Sequence, residues 1–367
     1  MHTPLPFALN PALTNLPVYQ PGRPIEEVAR ELGLPAADIV KLASNENPLG
    51  PSPLALAAMA QALRQVHLYP DGNAFYLKEK LAAKLGVPTA NLILGNGSNE
   101  MIEFLGHALL GADSEVVVSQ YSFAVYPIIT ALFGAKLVTV PAKQYGHDLP
   151  AMLKAITPKT RIVFVANPNN PTGTVVTRAE LQHFVENLPP HVVLGLDEAY
   201  IEFLDEPLDL IPVVRDGSRP NVVLLRTFSK IYGLAGLRVG YAIANPAMIA
   251  GLEKVRQPFN LNLLAQAAAL AALDDTAHVT NTRQNNAAGL KFYAEGCRQM
   301  GLEMVPSAAN FFLVRVGDGM KVFNELQRRG VIVRPMGGYQ LPEFVRISVG
   351  TPAENERCLT ALRAVLA

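Results

Sequence analysis

A series of short apolar runs, each about the length of one strand and separated by stretches with helical spacing, constrains this chain most. The runs "RIVFVA" at 161–166 and "NVVLLR" at 221–226 are apolar at both odd and even positions. A strand with one wet face alternates apolar and polar residues. A strand that is apolar throughout has both faces covered, as in mostly parallel sheets packed between helices. Comparable runs stand at 91–94, 115–119, 136–140, 192–197 and 239–244, with helical patterns at 99–110, 178–187 and 246–255. The alternation predicts an α/β core, doubly wound and with a mostly parallel mixed sheet between helices, over residues 45–265. Beyond it the pattern changes to a long polar helix (275–300), a strand (311–316), a helix (320–329), two strands (331–334 and 344–349) and a last helix. Residues 266–367 therefore read as a smaller α+β domain. Residues 1–44 hold no core of their own and are expected to pack on that domain or on a partner subunit.

Charge and composition exclude several classes. The 31 basic and 31 acidic residues cancel, which argues against a nucleic-acid binder. The apolar stretch 261–273 is interrupted by Asn262 and Gln266 and is too short to span a bilayer, so it reads as a buried helix. Residues 1–22 carry no basic start ahead of an apolar run, so no secretory signal is expected. Cys297 and Cys358 provide neither a disulfide framework nor metal-ligand spacing, which points to a cytoplasmic protein. The seven histidines share no metal spacing, and no metal is expected.

Five segments carry the chemistry. "TFSKIYGLAGLRVGYAI" (227–243) follows a candidate buried strand, so Lys230 should emerge where open α/β sheets place their ligands. "LDEAYIEF" (196–203) puts Asp197 at the end of another such strand, with Tyr200 three residues on. There a carboxylate can cap a helix or face a cationic ring nitrogen. "NPNNPTG" (167–173) is a turn that can aim the Asn170 amide at a ligand. "GNGSNE" (95–100) joins a strand to a helix, where glycines admit an anion to unpaired N–H donors. Glu100 stands where a dinucleotide fingerprint needs its third glycine, which excludes a nicotinamide dehydrogenase. "KLASNENPLGPS" (41–52) is a compact loop ahead of a helix.

Taken together and in this order, the five segments resemble the fold type I pyridoxal-phosphate enzymes. More narrowly, they resemble the class II aminotransferases of the histidinol-phosphate aminotransferase group. The likeness runs from about residue 19 to the C-terminus. It implies pyridoxal 5'-phosphate as cofactor, with Lys230 as its Schiff-base lysine and proton shuttle. Asp197 would pair with the pyridinium nitrogen, and Tyr200 and Asn170 would bond the ring hydroxyl oxygen. Ser98, Asn99, Thr227, Ser229 and Arg238 would hold the cofactor phosphate, while Phe123 stacks on the ring. Tyr69 would reach the neighbouring subunit's cofactor in a homodimer. Tyr19, Asn45, Arg334 and Arg346 would meet the substrate, the two arginines gripping its anionic end. Two segments depart from the usual pattern: the phosphate turn reads Ser-Asn-Glu, with Asn where Asp is common, and the stacking segment begins "SQYSF".

The implied activity is transamination of L-histidinol phosphate with 2-oxoglutarate, giving imidazole-acetol phosphate and glutamate in histidine biosynthesis. An aromatic amino-acid aminotransferase and a threonine-phosphate decarboxylase share the cofactor residues and stand as alternatives. A ligand-sensing transcription regulator would need a DNA-binding domain, for which the N-terminal segment is too short and not basic.

Overall fold

Seven of the apolar runs hydrogen-bond into one sheet. The computed structural model describes residues 7, 11–13, 16, 18 and 22–367. Its strands, among these residues, are β1 Val40–Lys41, β2 Leu92–Gly95, β3 Glu115–Ser119, β4 Lys136–Val140, β5 Thr160–Ala166, β6 Val193–Asp197, β7 Val222–Thr227, β8 Gly240–Ile243, β9 Phe311–Arg315, β10 Val331–Ile332, β11 Arg334–Pro335 and β12 Phe344–Ser348. The large sheet has the order β2-β8-β7-β6-β5-β3-β4. Only β8 runs against its neighbours. The chain between β7 and β8 contains no α-helix, only the short turn Ala235–Leu237. Without a crossover helix it turns back on itself rather than re-entering the sheet in parallel.

Burial follows the apolar pattern. Every residue of β2, β3, β6 and β8 is buried, and two apolar clusters cover the two faces of the sheet. One close approach shapes the centre: a Cβ at Gly195 would sit 2.6 Å from the Phe164 ring. That vacant space lets Phe164 of β5 lie flat against Tyr126, with centroids 4.5 Å apart. The apolar stretch at 261–273 is the helix Leu263–Ala272. Its alanines pack in the same core as the sheet, so this core extends past residue 265 to Leu273.

The C-terminal part forms a three-stranded antiparallel sheet, β11-β12-β9, backed by the helices Thr276–Gln299 and Pro352–Leu366 around a third core. The single strand expected at 331–334 is two. β10 pairs in parallel with β1, while β11 pairs with β12. Through β1 and the helix Ile25–Leu32, the N-terminal segment packs against Ile332. No described helix is long and apolar enough to cross a membrane.

Candidate active site

The parallel strands β5, β6 and β7 end side by side, and the motifs of the sequence sit just past those ends. A cavity of about 370 Å³ opens there. Its wall includes Asn170, Asp197, Tyr200, Thr227, Ser229, Lys230 and Arg238, as well as Ser98, Asn99 and Phe123. Asn45, Arg334 and Arg346 close it from the other side. Tyr19 lies outside the described residues. Tyr69 is not in this wall: it is 82% exposed and stacks on Phe259 at 4.7 Å.

Asp197 is the last residue of β6 and is buried. One carboxylate oxygen accepts the Tyr126 hydroxyl at 2.8 Å, and the other accepts the Ala199 N–H at 3.1 Å. Burial pushes its pKa up, while these two donors and the nearby Lys230 pull it back. The helix Gly97–Leu109 begins two residues earlier than its sequence pattern suggested, which places Ser98 and Asn99 in its first turn. The N–H groups of that turn have no partner within the helix and form an anion cup. Arg238 adds a full charge, in a left-handed conformation (φ 56°). Its guanidinium lies against Gly97, where a Cβ would come within 2.6 Å of Nη2, and donates to the Ser229 hydroxyl at 3.4 Å. Thr227 and Ser229 are linked hydroxyl to hydroxyl at 2.9 Å.

The turn after β5 has two cis peptide bonds, before Pro168 and Pro171. Asn169 pins it, donating to the Tyr121 carbonyl at 2.7 Å and to Thr172 at 2.8 Å. Asn170 then accepts from Arg346 Nη1 at 2.7 Å through its side-chain oxygen, leaving its NH₂ to donate elsewhere. Arg346 is buried, donates also to the Ala43 carbonyl at 2.9 Å, and lies over the Phe311 ring. Arg334 is its direct cross-strand partner. Tyr200 is buried and accepts from the Asn45 amide at 3.0 Å.

Lys230 Nζ points at the carbonyls of Ser44 and Asn45, at 3.4 and 3.3 Å, and lies 5.6 Å from the centre of the Tyr200 ring. The protein packed around it lowers its pKa to about 8, helped by Arg346 and then Arg238, against Glu46 and Asp197. Arg346 thus outweighs Arg238, the cation closer to Lys230 in sequence. Half of the Lys230 amines are then neutral near pH 8, against under about 1% for an ordinary lysine. Only a neutral amine attacks an aldehyde. The rate of aldehyde capture by the apoprotein is therefore expected to rise with pH and level off just above 8. Stopped-flow cofactor uptake measures it, and a rate still climbing at pH 10 would contradict the assigned cause.

The family model for class I and II aminotransferases matches residues 37–362. The chain belongs to the class I and II aminotransferases. This aminotransferase is 54% identical to a histidinol-phosphate aminotransferase of Akkermansia muciniphila, over 97% of this chain and 98% of that one. It is 52% identical to histidinol-phosphate aminotransferase 1 of Thiobacillus denitrificans, over 95% and 91% of the two chains. Among solved structures it resembles the Sinorhizobium meliloti histidinol-phosphate aminotransferase in complex with pyridoxal 5'-phosphate. The TM-score is 0.90 and the identity 31%, covering 98% of this chain and 97% of that one.

Sequence reasoning missed three contributors to the aminotransferase's site. Tyr126, which holds Asp197, stands three residues after Phe123 in "QYSFAVY" and gives no signal of its own. Lys41 and Glu46 lie within a quoted motif, yet nothing in the sequence shows that both face the cavity, where they pair at 3.0 Å. Among the described residues no cluster of three metal-ligating side chains occurs.

Proposed function

We propose that the chain transaminates L-histidinol phosphate with 2-oxoglutarate, using pyridoxal 5'-phosphate held by Lys230. The carrying observation is the cross-strand pair Arg334 and Arg346, which brings two guanidinium groups to one wall of the Lys230 cavity. A phosphate and a carboxylate are the ligands that planar guanidinium forks bind best. Both half-reactions bring an anion there, since the donor ends in a phosphate and the acceptor is a dicarboxylate. The curated relatives at 52–54% identity carry the same activity in their names.

The residues present fit the cofactor. Ser98, Asn99, Thr227, Ser229 and Arg238 form the anion cup, Asp197 offers a buried carboxylate to a ring nitrogen, and Phe123 supplies an aromatic face. Asn170 and Tyr200 offer donors to a ring oxygen. When bound, the cofactor withdraws electrons from the substrate's amine-bearing carbon and makes its proton acidic. Lys230 would take that proton at Nζ and later return it. Its lowered pKa suits the task, because a base works best with a pKa near the working pH. Asp197 would stabilise positive charge on the ring nitrogen. Arg346 orients the substrate and, through Asn170, ties that end of the cavity to the cofactor side.

Tyr69 supports a homodimer. It is exposed on Phe259, within a stretch of exposed Leu56, Leu63, Val66, Leu68, Phe75 and Tyr76 that a second subunit would cover. The buried free thiols Cys297 and Cys358 suit a cytoplasmic enzyme.

The test follows the visible band of lysine-bound cofactor in the purified holoenzyme while donors are added singly, without keto acid. Loss of the band at low histidinol phosphate, with only weak response to phenylalanine or tyrosine, is expected. A response to aromatic amino acids alone would transfer the chain to that specificity.

A further inference from the structure

Glu46 is out of place in this cavity. Five cations line it: Lys41, Lys230, Arg238, Arg334 and Arg346. The ligands of the proposed reaction are anions: the cofactor phosphate, the substrate phosphate and the dicarboxylates. Against these a carboxylate is repulsive and lowers affinity. Two carboxylates nevertheless line the wall, Asp197 and Glu46. Asp197 is buried and engaged by Tyr126 and Ala199. Glu46, with its side chain 48% exposed, bonds Lys41 through one oxygen at 3.0 Å. A pair this open to solvent adds little to stability, so folding alone does not explain it.

The backbone that presents Glu46 is held from several sides. Asn45, just before it, is in the left-handed region at φ 54°. Its N–H donates to Ser348 Oγ at 2.8 Å, and its amide reaches Tyr200. Asn310 donates to the carbonyls of both Asn45 and Glu46, at 3.1 and 3.4 Å. A left-handed non-glycine residue fixed in this way is a common mark of a functional site. It sets Glu46 at the cavity wall, and Lys41 orients the carboxylate, which keeps lone pairs for a further donor.

We infer that Glu46 accepts the imidazole N–H of the phosphorylated amino-alcohol substrate and so distinguishes it from glutamate, which has no donor on its side chain. The inference rests on the histidinol-phosphate reading of the site. With the phosphate on the arginines and the amine at Lys230, the imidazole is the group left to meet the Lys41–Glu46 wall. The negative charge of Glu46 disfavours a second carboxylate at the same place, which sharpens the distinction.

The experiment compares wild type, Glu46→Gln and Glu46→Asp as holoenzymes, measuring KM and kcat for histidinol phosphate and for glutamate separately. Calorimetric affinity for each donor gives a readout independent of turnover. Glu46→Gln is expected to weaken histidinol phosphate about tenfold, the scale of one charge-assisted hydrogen bond, and to leave glutamate unchanged or slightly tighter. Glu46→Asp should recover part of the loss. If Glu46→Gln alters both donors equally and moves the pH profile, the carboxylate acts on Lys230, whose pKa it raises, and the inference is overturned. No effect on either donor overturns it as well. A wild type that does not use histidinol phosphate at all would instead overturn the reading on which the inference rests.

Discussion

Lys230→Ala is expected to lower kcat by at least about 10⁴-fold, the upper scale for loss of a general base, because in the proposed function the same amine also tethers the cofactor. The variant should not unfold. Among the described residues, Lys230 Nζ makes only two long hydrogen bonds, to the Ser44 and Asn45 carbonyls, and no ion pair. Its pKa lies below that of a free lysine, so the folded state disfavours its charged form. That burden is present in full below the folded value of about 8 and is lost as pH rises from there toward the free-lysine value of 10.5, so at neutral pH the alanine variant should melt no lower than wild type. Three measurements settle the matter: single-turnover kinetics, the visible spectrum and a thermal melt. Turnover within tenfold of wild type, in a protein that still takes up cofactor, would remove Lys230 from the mechanism.

Asp197→Asn should retain cofactor and lose about 1,000-fold in kcat, the scale of removing one preorganised electrostatic contact from a transition state. Asparagine has nearly the same shape. It can keep the Ala199 N–H bond and still meet the Tyr126 hydroxyl, so the end of β6 stays in place. What it lacks is charge. A neutral amide cannot hold positive charge on a ring nitrogen, and the ring then withdraws electrons poorly. Cofactor affinity from fluorescence quenching, set beside kcat, separates the two effects. Equal losses in both would make Asp197 a structural residue. Unchanged turnover would mean that another group protonates the ring.

Much of this site could be read in the sequence because its parts are local. Each motif is a strand end followed by its loop, and strand ends are marked by where an apolar run stops. "RIVFVA" ends before the Asn170 turn, "VVLGL" before Asp197, and "VVLLR" before Thr227 and Lys230. The helix boundary at Gly97 was less legible, since glycine and serine there read equally well as a turn. The split between β10 and β11 was not legible at all. The successive residues 331–334 read as one strand, and only the positions of β1 and β12 divide this stretch between two sheets.

Local chemistry therefore determined the large α/β core and the placement of Lys230, Asp197 and the turn at 95–100, because each depends on which residues adjoin one buried strand. Contacts between residues far apart in the chain were decided only by the tertiary structure. Tyr126 meets Asp197 because Gly195 leaves room for Phe164 beneath it. Arg346 outweighs Arg238 at Lys230 because β12 brings it across from the smaller sheet. Asn310 and Ser348 hold the backbone that turns Glu46 toward the cavity. Hydrogen bonds and charges act over a few ångströms of space, while a sequence records only distance along the chain.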